Sequence, residues 1–147
     1  MKRIVFTFLF AAVVALAVHP AAAQWTPENP GSENMEVLGH IPLGPALSVA
    51  DMDVEQEMHR PYAYVAHMKY GEAGPRGTDI IEISDPSSPR IIYRWRIENQ
   101  DLHTGTGGMD VKHFKWKGHY YVVQSLQFGQ GPNSDVGAVI LDVNGLP

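Results

Sequence analysis

Tyr62-Ala63-Tyr64-Val65-Ala66-His67-Met68 is followed, after a break, by Thr78-Asp79-Ile80-Ile81-Glu82-Ile83. Both runs are short and rich in aromatic and β-branched side chains. Arg60-Pro61 precedes the first and Gly74-Pro75-Arg76-Gly77 the second. Runs of this length between turn formers predict strands. Ser84-Asp85-Pro86-Ser87-Ser88-Pro89 comes next; its two prolines forbid a helix, and Asp85 is placed to cap its own turn. From Arg90 to Ile97 the pattern alternates. Ile91, Tyr93, Trp95 and Ile97 fall on one face and Arg90, Arg94 and Arg96 on the other, with Ile92 the exception. A period of two predicts a half-buried strand. Ala46–Val54 predicts a strand upstream, and Glu36–Leu43 a short one weakened by Pro42. No window beyond the N-terminal segment has helical spacing, so the chain reads as all-β.

The pattern then recurs. Asp51-Met52-Asp53-Val54 matches Gly108-Met109-Asp110-Val111, 57 residues later, and the same shift lays Tyr62–Ala66 over His119–Val123. A shift of 60 lays Gly77–Ile83 over Gly137–Val143, the three additional residues falling in the Gly129–Asp135 loop. Each unit reads strand, turn, strand, loop, strand, and the first adds a fourth strand. Four short antiparallel strands in about 40–50 residues is the arithmetic of a propeller blade.

Tyr62-Ala63-Tyr64-Val65-Ala66 with Asp79-Ile80-Ile81-Glu82-Ile83-Ser84-Asp85-Pro86-Ser87-Ser88-Pro89 resembles the LVIVD repeat. The resemblance covers residues 46–97 well. It is looser over 108–147, where Asp142-Val143-Asn144-Gly145-Leu146-Pro147 replaces the Ser-Asp-Pro-x-x-Pro ending. It implies an exported β-propeller, here as a blade at 46–97, a connection at 98–107 and an incomplete blade at 108–147.

Met1-Lys2-Arg3, the apolar run Ile4–Val18 and Ala21-Ala22-Ala23 form the three parts of a secretory signal peptide, predicted to be helical and cleaved after Ala23. The rival is an uncleaved anchor, but the run is shorter than the ~20 residues that span a bilayer. Residues 24–45 then form a Pro/Gly/Asn-rich lead. Of 147 residues, 124 remain after residue 23, with 9 basic and 16 acidic side chains, a balance of −7. That charge is a poor match for nucleic acid, and no second apolar run is long enough for a membrane span. Lys112, Lys115 and Lys117 read as a solvated strand face rather than a polyanion patch. With no cysteine, disulfides and thiol chemistry are excluded. Closed propellers use about four to eight blades, so under two blades predicts a truncated chain, or one that self-associates through open strand edges.

Candidate sites are sparse, and no catalytic residue is assigned. Asp51, Asp53 and Asp110 recur at an equivalent strand position. Paired carboxylates can hold calcium, but no Asp-x-Asp-x-Asp-Gly loop is present. Repetition favours a structural job, such as holding a neighbouring loop by accepting N–H bonds. Leu102-His103-Thr104-Gly105-Thr106-Gly107-Gly108-Met109-Asp110 is the most unusual stretch. A Gly-rich loop can present N–H groups to an anion, but this one lacks a P-loop ending and opens a strand. It reads as a connection between blades or as a loop at a channel mouth. His103, His113 and His119 are the candidates for a metal site, without the tight spacing of a metal motif. Glu55 and Glu57 are expected to be exposed before a turn. Trp95, Phe114, Trp116, Tyr120, Tyr121 and Phe128 are expected to pack in the core rather than form a carbohydrate-stacking face.

The leading expectation is a non-catalytic binding or interaction module, secreted, periplasmic or at the cell surface. Its ligand or protein partner is unknown and no cofactor is predicted for it, a divalent metal staying open. Asp51, Asp53, His103, Thr104 and Asp110 are its ligand-binding candidates. The alternative is a propeller hydrolase or oxidoreductase with a divalent metal on the same loops.

Overall fold

The computed structural model describes residues 37–44, 48–68, 76–98, 107–127 and 137–147. The expected signal segment, most of the lead, His103, Thr104, Phe128 and the 129–135 loop lie outside them. The described residues are all-β, with strands β1 (Ser48–Val54), β2 (Tyr62–Met68), β3 (Gly77–Glu82), β4 (Arg90–Arg96), β5 (Gly107–Trp116), β6 (His119–Gln127) and β7 (Gly137–Asp142). They form two antiparallel meanders, a four-stranded sheet in the order β1-β2-β3-β4 and a three-stranded sheet in the order β5-β6-β7.

Local chemistry explains the connections. Asp85 accepts the N–H and hydroxyl of Ser87 at 3.0 and 2.6 Å, the expected self-capped turn. The β5–β6 hairpin closes through Lys117 and Gly118, both with positive φ, 49° and 83°. Two left-handed residues give the turn whose twist matches that of the flanking strands.

β2 is buried along its whole length. One face carries Tyr62, Tyr64 and Ala66, which join Ile80 and pack on Val111, Val122 and Val143 of the second sheet. The other carries Ala63 and Val65, which join Ile81 under Ile41 and Leu43. Thus the first sheet is covered on both sides. Its cover on the second side comes from residues 37–44. The sequence predicts a strand there, but these residues run beside the sheet and join no ladder. Pro42 has no N–H to offer a ladder, and Ile41 and Leu43 contribute side chains instead.

β4 departs from simple alternation. Ile80 pairs with Tyr93, but Ile81 pairs with Ile91, leaving Ile92 in a bulge. The extra residue reverses the side-chain sense. Ile91 packs with Ala63 and Val65, whereas Ile92 packs with Tyr64 and Ile80. Ile91 and Tyr93, expected on one face, therefore lie on opposite faces.

Candidate functional site

β5 is the edge of its sheet, so every second N–H points away from β6, and an exposed edge of this kind invites wrong pairing. β1 meets it with two carboxylates at the matching spacing. Asp51 Oδ2 accepts the Val111 N–H at 3.0 Å, and Asp53 Oδ2 accepts the His113 N–H at 2.8 Å. One residue separates the members of each pair, so Asp-x-Asp serves alternate amides of one strand. Lys112 Nζ also reaches Asp51, and the His113 ring lies 2.9 Å from Asp53. The Lys112 ammonium, helped by the Val111 N–H, holds the Asp51 carboxyl below its ordinary range. At Asp53 burial pushes upward, but the backbone and ring of His113 outweigh it and the net direction is down.

Further along the seam, the β1–β2 turn supplies a second lock. Arg60 forks onto Glu55 at 2.6 and 3.1 Å and donates to the Val143 carbonyl at 2.9 Å. Tyr64 donates to the same glutamate. Burial, with Glu55 beside it, raises the Tyr64 hydroxyl above its ordinary range. The Arg60 guanidinium stacks 3.9 Å from the centre of the Tyr120 ring. Glu55 is buried, contrary to the exposure expected of a turn acid. Pairing with Arg60 is what makes its burial tolerable. Glu57 stays half-exposed and gathers Lys115 and the Tyr120 hydroxyl.

The remaining candidates disperse. Asp110 is exposed, and its backbone N–H donates to Ser125 Oγ at 3.0 Å. His113 stacks on Tyr64 across the seam, whereas His119 stacks on Tyr121. The two imidazoles lie on opposite faces of the second sheet and do not converge. Among the described residues, no three His, Asp or Glu side chains gather as a metal would require. No helix among them is long and apolar enough to cross a membrane.

The aromatic expectation divides. Tyr120 packs into the seam, but Phe114 and Trp116 stand exposed on the outer face of the second sheet. Phe114 stacks on Tyr121 with ring centres 5.4 Å apart, and Lys117 lies over Trp116. Among the described residues no sheet covers this face, and Phe114, Trp116 and Ile140 stand at the surface.

Sequence reasoning missed one polar cluster. His67 and Asp79 are both fully buried, with His67 Nε2 at 3.0 Å from Asp79 Oδ2. Arg96 donates to the other carboxylate oxygen at 2.6 Å. Burial pushes the Asp79 carboxyl up, but His67 and Arg96 bring it below its ordinary range. His67 also lines a cavity of about 450 Å³ between residues 40–44 and β1–β2, together with His40 and the apolar side chains of Ile41, Pro42, Leu43 and Val49. The lining therefore carries an imidazole backed by a carboxylate. The signal was present in the hairpin: pairing Tyr64 with Ile80 places His67 diagonally from Asp79 on one face.

Comparison with protein-family models, curated proteins and solved structures finds no match to this chain.

Proposed function

We propose that the chain is an exported, non-catalytic interaction module of LVIVD-type propeller units, working by stacking sheet upon sheet. The observation that carries this reading is the uncovered outer face of β5–β7. Tyr121 and Ile140 on that face are the repeat equivalents of Tyr64 and Ile80, which lie buried beneath the second sheet. Asp110 is likewise the equivalent of Asp53, whose carboxylate holds a neighbouring strand. A face that already stacks in one unit is suited to stack in the next. Its occupant is therefore another sheet of the same kind, supplied in solution by a second copy. A contiguous exposed apolar patch of this sort marks an interaction surface.

Sedimentation velocity of residues 24–147 over a range of concentrations tests the reading. Reversible association is expected, weakened by Trp116→Ser and Ile140→Ser with the melting temperature unchanged. A chain that stays monomeric at every concentration contradicts it. Export is tested separately: the intact mass of the exported protein should begin at Gln24, and a mass retaining Met1 contradicts cleavage.

A further inference from the structure

Arg76 stands immediately before β3, fully enclosed at 0% exposure, and none of its three guanidinium nitrogens has a hydrogen-bond partner. Other arginines of the first sheet meet carboxylates: Arg60 meets Glu55, Arg90 meets Glu82 and Arg96 meets Asp79. Arg76 meets none, and burial alone pulls its pKa below the ordinary guanidinium value. A guanidinium stays charged at neutral pH. Enclosing it without a counter-charge is unfavourable.

The neighbouring polar groups are committed elsewhere. Gln124 donates to the Gly77 carbonyl at 3.3 Å and takes the Thr78 hydroxyl. The Arg76 carbonyl accepts the Ile97 N–H at 3.0 Å. A second observation concerns the start of β5. Gly107 and Gly108 are buried there, and a Cβ on Gly108 would stand 3.2 Å from the Gly77 carbonyl oxygen and overlap the Gln124 side chain. A Cβ on Gly107 would press on Met68 at 2.7 Å. Bare backbone is therefore brought against the residue that follows Arg76, in the stretch singled out by its glycines.

We propose that Arg76 anchors a site for an anionic oxygen group, carboxylate or phosphate, between the start of β3 and the glycine start of β5. The planar fork of the guanidinium fits two oxygens of either group.

Thermal melts of residues 24–147 in phosphate, acetate and chloride at matched ionic strength test this. At ten times its Kd the bound anion should raise Tm by roughly 5 °C. Response to phosphate alone identifies a phosphate site, and response to acetate alone a carboxylate site; either supports the proposal. Arg76→Met should abolish the rise while leaving Tm in chloride equal or higher, because the uncompensated charge is gone. Arg76→Lys should weaken it, because the fork is lost. Titration followed by ³¹P and acetate ¹H relaxation reads binding to the wild-type chain directly, so the proposal stays testable if a variant does not fold. No binding of either anion overturns it. So does an equal Tm rise in Arg76→Met, which reports general salt exclusion. A large Tm loss in Arg76→Met in chloride, without an anion response in the wild type, would show an arginine satisfied within the protein.

Discussion

Ile80 in the first sheet and Ile140 in the second hold the same place in their repeat units, yet Ile80 is 2% exposed and Ile140 63%. The strands that carry them are built alike, with β-branched residues in an antiparallel meander. The difference lies in the neighbours. The first sheet has residues 37–44 on one side and the second sheet on the other, whereas among the described residues the second has a partner on one side alone. A strand pattern therefore records which side chains are suited to burial, but the stacking order decides which of them are buried.

Substitutions at matched positions sharpen this contrast. The largest loss is expected where the seam encloses an ion pair. Arg60→Ala leaves Glu55 buried and unpaired and should cost about 3–5 kcal/mol in urea unfolding. Ile80→Ala opens a cavity between the sheets and should cost about 2–5 kcal/mol, while Ile140→Ala should stay within about 0.5 kcal/mol. Equal losses at the two isoleucines would break the comparison. Asp53→Ala leaves the outward His113 amide without its acceptor and should cost about 1–2 kcal/mol, whereas Asp110→Ala should change little.

The smallest effect is a pH dependence. Asp51, Asp53 and Asp79 all have folded-state pKa values held below their ordinary ones. A depressed carboxylate stabilises the fold above its unfolded pKa, about 4, and the contribution disappears as pH falls through the folded value. The urea midpoint should therefore be flat above about pH 5 and fall below about pH 4. Asp53→Asn should make that fall shallower.

Much of the architecture was legible in the sequence. The 62–68 run, the Asp85 turn and the 57-residue repeat give strands and order directly, because they rest on local periodicity and turn chemistry. The capping role of Asp51 and Asp53 was also within reach, since repetition of an acid at one strand position points to a structural task. What escaped depends on contacts between distant segments. Burial of Glu55 requires Arg60 and the Val143 carbonyl, the latter far along the chain. Exposure of Phe114 and Trp116 depends on which segments stack on the second sheet, and no alternation pattern records that. The Ile92 bulge reverses the side-chain faces by inserting one residue, and only the cross-strand register reveals it. His67 and Asp79 lie in different strands and become neighbours only when the hairpin is paired.

Amide hydrogen exchange at His113 tests the stacking of the two sheets most directly. Its N–H points away from β6, and the Asp53 carboxylate across the seam is its acceptor. Protection of this amide is expected in the wild-type chain, and its loss in Asp53→Ala while the β5–β6 ladder amides stay protected. A His113 amide that exchanges as fast in the wild type as in Asp53→Ala would contradict the seam.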